Sequence, residues 1–128
     1  MFARTTQLAL ALIVAATLAA SHAAAIDYEA KLTGTAWRTK TELDNGDEAH
    51  LGVLFKANGK FLLVVSDADD REILKKVEGS YEIDGDLISF YRGGKLIAQE
   101  KVLSLRGSRL VTESKTGKTT WRKIDLEN

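Results

Sequence analysis

The stretch GSYEIDGDLISFYRGGK, Gly79–Lys95, decides how the rest of the chain is read. Tyr81 and Ile83 alternate with Ser80 and Glu82, and after Asp84-Gly85 the residues Ile88 and Phe90 alternate with Leu87 and Ser89. A side-chain period of two marks strands with one buried face. Asp84-Gly85 and Gly93-Gly94 punctuate the runs. Such dipeptides are strong hairpin signals, because tight hairpin turns need residues that tolerate positive φ. The stretch predicts successive antiparallel strands joined by short turns.

Working outward, the same punctuation recurs at Asn45-Gly46, Asn58-Gly59, Gly107 and Gly117. Between these points lie β-type segments at Ala36–Leu43, Ala49–Lys56, Lys60–Ser66, Glu72–Glu78, Ser80–Ile83, Leu87–Arg92, Lys95–Leu105, Arg109–Ser114 and Thr119–Ile124. With the break at Glu78-Gly79 read as a bulge inside one strand, the count is eight. Phe61–Val65 is apolar on both faces, which suits a strand covered on both sides or a patch that meets a partner. Asp27–Leu32 can form one helical turn, and no long helical pattern follows it. Folds built on βαβ units are thereby excluded. Short antiparallel strands at regular spacing predict an all-β sandwich or closed barrel in one domain.

The chain has 128 residues, 18 Lys+Arg against 18 Asp+Glu, no Cys and no Pro. Zero formal charge argues against a nucleic-acid binder, and the absence of Cys removes disulfides, thiolate metal sites and Cys nucleophiles. Residues 1–25 read as a secretory signal peptide. Arg4 is the positive n-region, Leu8–Ala20 (LALALIVAATLAA) the apolar core, and Ala23 and Ala25 an A-x-A cleavage pattern. The apolar run is shorter than the roughly 20 residues of a spanning helix. The expectation is a periplasmic or secreted domain, residues 26–128, with no stable membrane span after cleavage. That domain carries 17 basic and 18 acidic residues.

Leu32-Thr33-Gly34-Thr35-Ala36-Trp37 opens the first strand much like the Gly-x-Trp signature of lipocalins. Phe55–Phe61, Gly79–Asp86, Leu103–Leu110 and Thr120-Trp121-Arg122-Lys123 follow in order. Together they resemble the short bacterial exported lipocalin-like (calycin-type) domains, over nearly the whole of residues 26–128. The resemblance implies an eight-stranded antiparallel up-and-down barrel. The family pattern has one residue between Gly and Trp where this chain has Thr35 and Ala36, so the register at Trp37 stays open. The resemblance also implies that Trp37 closes one barrel end beneath a basic residue of the last strand, Arg122, through a cation–π contact. Lys123 competes for that role, because a slip of one residue exchanges the two faces.

Little in the chain serves catalysis. His50 is the only imidazole after residue 25, so any Ser-His-Asp arrangement requires it. No Gly-x-Ser-x-Gly and no glycine-rich phosphate loop occurs. Asp67-Ala68-Asp69-Asp70 offers oxygen ligands, but Arg71 and Glu72 stand where a calcium loop needs a third ligand and a Gly. Asp84/Asp86 and Asp47/Glu48 fall at turns, where local turn chemistry accounts for them. Lys75, Lys76, Arg106, Arg109, Lys115 and Lys118 are interspersed with acids. The expectation is a chain without catalytic residues, cofactor, metal or nucleic-acid partner.

By alternation and by the turn register of the resembled family, the inward set is Trp37, Leu51, Val53, Phe55, Phe61, Leu63, Tyr81, Ile83, Ile88, Phe90, Leu103, Leu105, Leu110 and Trp121. An inward Trp121 conflicts with an Arg122 stacked on Trp37, since adjacent strand residues face opposite sides. An eight-stranded barrel is filled by side chains or holds one small ligand. One reading is a binding protein that holds a small apolar or amphipathic ligand against Trp37, Phe55, Phe61, Tyr81 and Phe90. The alternative is an envelope protein with a filled barrel, which binds or inhibits a protein partner through Phe61–Val65 or Tyr91.

Overall fold

The protein is described here by a computed structural model that covers residues 26–126. The segment read as a signal peptide lies outside the described residues. A single helical turn, α1 (Tyr28–Leu32), comes first, capped by Asp27, whose Oδ1 accepts from the Ala30 amide at 3.1 Å. Eight strands follow: β1 (Ala36–Glu42), β2 (Glu48–Phe55), β3 (Lys60–Asp67), β4 (Ile73–Asp84), β5 (Leu87–Arg92), β6 (Lys95–Arg106), β7 (Arg109–Ser114) and β8 (Gly117–Ile124). Each is antiparallel to the next, and β8 returns to pair with β1, closing an up-and-down barrel. The closing seam pairs Ala36, Trp37 and Arg38 of β1 with Ile124, Lys123 and Arg122 of β8, so neither terminal strand is a free edge along that stretch. Gly93 and Gly94 take φ of 59° and 81°, the two positive values a tight β5–β6 turn demands.

Three register shifts interrupt the ladders, and each leaves one extra residue on one strand. Leu74 is extra between Val65–Lys75 and Ser66–Ile73, Ile97 between Phe90–Ala98 and Tyr91–Leu96, and Leu103 between Val102–Thr112 and Ser104–Val111. These bulged residues are all large, apolar and exposed. A bulge takes its residue out of the alternating pattern, so an apolar side chain there has no core position to enter. Leu103, expected inside, is 37% exposed, and Val102 takes the interior position at 3%. The expected bulge at Glu78-Gly79 is also corrected: Gly79 pairs in register with Phe61, and β4 runs through it unbroken. Glycine is needed there for a different reason. An added Cβ would collide with the Tyr91 carbonyl oxygen and lie 2.7 Å from Phe61 Cε2.

The rest of the expected inward set does face the core. Trp37, Val53, Phe55, Phe61, Tyr81, Ile88, Phe90, Leu110 and Trp121 are buried, with Leu51, Leu63, Ile83 and Leu105 packed against them. Phe55 meets Tyr81 edge-on at 5.0 Å, and Phe61 meets Phe90 edge-on at 5.1 Å. Each such ring pair adds about 0.5–1.5 kcal/mol beyond the area it buries.

α1 stoppers one end of the barrel. Leu32 is fully buried, the Thr35 hydroxyl donates to the Leu32 carbonyl at 2.5 Å, and the Trp37 indole N–H donates to Thr35 Oγ1 at 2.7 Å. The Gly34 amide and the Thr35 carbonyl bond to Phe55 at 2.6 and 2.9 Å. The additional residue between Gly34 and Trp37 thus carries the hydroxyl that links the helix end to the indole. The Tyr81 hydroxyl donates to the Lys56 carbonyl at 2.8 Å at the same end. Among the described residues, no helix is long and apolar enough to cross a membrane.

Candidate functional site

The end opposite α1 is open. There the lumen forms a cavity of about 390 Å3, enough for a small organic molecule. Its wall is aromatic and aliphatic: Phe55, Phe61, Phe90 and Trp121 with Val53 and Ile88 among others. Hydroxyls of Thr41, Ser114, Thr116 and Thr119 line it as well. Ile97, displaced by its bulge, is half-exposed and lines the same cavity.

One polar chain crosses this apolar wall. The Trp121 indole N–H donates to Thr112 Oγ1 at 3.0 Å, and the Thr112 hydroxyl donates to Glu100 Oε1 at 2.8 Å. Strand pairing builds the arrangement. Glu100 is opposite Ile88, Thr112 is opposite Val102, and Trp121 is opposite Leu110, all inward partners. Burial pushes the Glu100 carboxyl above the ordinary glutamate range, and the Thr112 hydrogen bond offsets part of that rise. The β6–β7 ladder begins at Lys101–Glu113, so residues 95–100 of β6 lack a β7 partner and Glu100 stands where the wall opens.

The five residues read from the sequence as ligand-binding separate into two groups. Phe55, Phe61 and Phe90 line the open cavity, whereas Trp37 and Tyr81 belong to the stoppered end and do not. The Arg122 stack on Trp37 does not form. Trp37 pairs with Lys123, and Arg122 pairs with Arg38, which puts Arg122 on the outer face. Trp121 has the interior position, buried to 8% exposure, and adjacent strand residues cannot share a face. Sequence reasoning missed Glu100. A strict two-residue period from Leu103 and Leu105 puts Glu100 outside, and the bulge at Leu103 reverses that parity. Thr112 had a visible signal, because it stands two residues from Leu110 on the same face.

A second cluster lies on the outer face of β1–β3. Asp70, with φ of 59° at the β3–β4 turn, accepts from Ser66 Oγ at 3.0 Å and from Arg38, and His50 Nδ1 is 2.9 Å from its Oδ1. The hydrogen bond from His50, together with those from Ser66 and Arg38, holds the Asp70 carboxyl below the ordinary aspartate range. The Ser66 hydroxyl proton is thus directed to a carboxylate, not to the imidazole. Asp67 Oδ1 accepts from the Arg71 amide at 2.8 Å, which is turn capping. Beside the cluster, Leu54, Leu62 and Val64 floor a shallow depression over Gly52. The outward half of the doubly apolar strand therefore lines an open surface. Comparison of the chain with protein-family models, with curated proteins and with solved structures finds no match.

Proposed function

We propose that this chain is an exported, lipocalin-like binding protein without enzymatic activity, which holds one small apolar or amphipathic molecule in the open half of its barrel. The carrying observation is the open cavity of about 390 Å3 with three phenylalanines and a tryptophan on its wall. A barrel that served only as a scaffold would gain stability by filling that space, since empty apolar volume forfeits packing contacts. One end is stoppered by α1, Trp37 and Tyr81, so a ligand enters and leaves at the other. The exposed Ile97 at that end provides an apolar approach. Export rests on the order of n-region, apolar run and A-x-A site in residues 1–25.

Titration with N-phenyl-1-naphthylamine, an uncharged fluorophore that brightens in apolar surroundings, tests the reading. The expected result is saturable enhancement at one molecule per chain, abolished by Ala98→Trp, which places a large ring in the cavity. Cooperative urea unfolding of the variant serves as the folding control. Enhancement that never saturates, or that survives the substitution, contradicts a lumenal site.

A further inference from the structure

Glu100 is costly where it is. Its carboxyl is half-buried in a wall whose other polar groups are Ser and Thr hydroxyls, and no Lys, Arg or His lines the cavity among the described residues. A glutamine would accept the same hydrogen bond from Thr112 without the penalty of desolvating a charge. The chain Trp121 to Thr112 to Glu100 also has a direction. Each donor hydrogen points toward the carboxylate, and the chain ends there. Thr112 has spent its one hydroxyl proton, and an ionised carboxylate has lone pairs but no proton to offer. Glu100 accepts a single hydrogen bond among the described residues, so at least one oxygen remains for a ligand at the mouth. The complementary group is a donor with positive charge.

We infer that the cavity selects amphipathic amines, with the ammonium head on the Glu100 carboxylate and the apolar tail against Ile88, Phe90 and Phe61. The inference rests on the lumenal binding reading and names its ligand class. A charge-assisted hydrogen bond is about twice as strong as a neutral one, and the site leaves it partly solvated at the mouth. Ile88, opposite Glu100 across β5–β6, and Val102, two residues further along β6 toward the stoppered end, are both apolar, which suits a tail running inward from the head group.

The test is competition against bound N-phenyl-1-naphthylamine on the full chain near neutral pH, with n-octylamine, n-octanol and n-octanoate as competitors. The three share one tail and differ in the head. The expected result is displacement by octylamine at about tenfold lower concentration than by octanol, equivalent to about 1.4 kcal/mol. Octanoate should be weaker than octanol. In Glu100→Gln the preference for amine over alcohol should vanish, with cooperative urea unfolding of the variant as the folding control. Equal potency of amine and alcohol on the wild type, or a preference that survives Glu100→Gln, overturns the inference. Failure of the fluorophore itself to bind saturably would overturn the lumenal reading instead, so the two failures are distinct.

Discussion

At Gly79 the neighbouring strands approach so closely that any side chain collides with the Tyr91 carbonyl and the Phe61 ring. Backbone cannot move aside as a flexible side chain can, so Gly79→Ala should cost about 3 kcal/mol of unfolding free energy in urea. Gly52→Ala is the matched control. Its added Cβ would meet only the Trp37 carbonyl oxygen at 3.7 Å, ordinary contact, and stability should change by less than about 0.5 kcal/mol. Equal urea midpoints for the two variants would contradict this account of β4. The sequence marks Gly79 as special but does not say how. A glycine inside a strand signals either a bulge or a close approach, and only the folded neighbours decide between them. Thr35 is similar: an extra residue before Trp37 is visible in the chain, and its role as the link between α1 and the indole is not.

The limits of local pattern reading show most plainly in β6. Its twelve residues hold two bulges, at Ile97 and Leu103, and each shifts the side-chain parity. Between them Ala98, Glu100 and Val102 face inward, the reverse of what counting back from Leu105 gives. In β5 and β7, which carry no extra residue of their own, alternation and glycine turns locate the ends to the residue. A bulge costs little locally and is set by how neighbouring strands wrap, so no short window reveals it. The β3–β4 turn has a legible acidic run whose purpose emerges only from pairing. Asp70 draws together His50 of β2, Arg38 of β1 and Ser66 of β3. Its carboxyl is held below its usual value of 3.8, so the folded state favours the ionised form. That contribution to stability is complete above pH 3.8 and is lost as pH falls through the depressed folded value. Urea midpoints followed from pH 6 to pH 2 should therefore fall more steeply below pH 3.8 in the wild type than in Asp70→Asn. Parallel curves would remove Asp70 from the account of this turn.

Over the whole molecule the two barrel ends differ in kind. One is stoppered by α1 and the Trp37–Thr35–Leu32 chain of hydrogen bonds, and the other opens onto the aromatic cavity with Glu100 at its mouth. The zero net charge conceals a further asymmetry. Strand pairing sets Arg106, Arg109, Arg122 and Arg38 in one row across β6, β7, β8 and β1, on the outer face near the stoppered end. Like charges directly opposite each other destabilise a sheet, and basic residues that look dispersed along the chain become neighbours there. The barrel and most of its core are legible from turns and alternation, whereas the cavity depends on which inward side chains leave space. That depends on all eight strands at once. The claim that this space is a binding site is tested most directly by methyl NMR during a titration with n-octanol. The account predicts that shifts concentrate on Leu51, Leu63, Val77 and Ile88 inside the open half, while Leu54, Leu62, Val64 and Ile124 of the outer depression stay still. Shifts confined to the outer set would place binding on the surface and contradict the account.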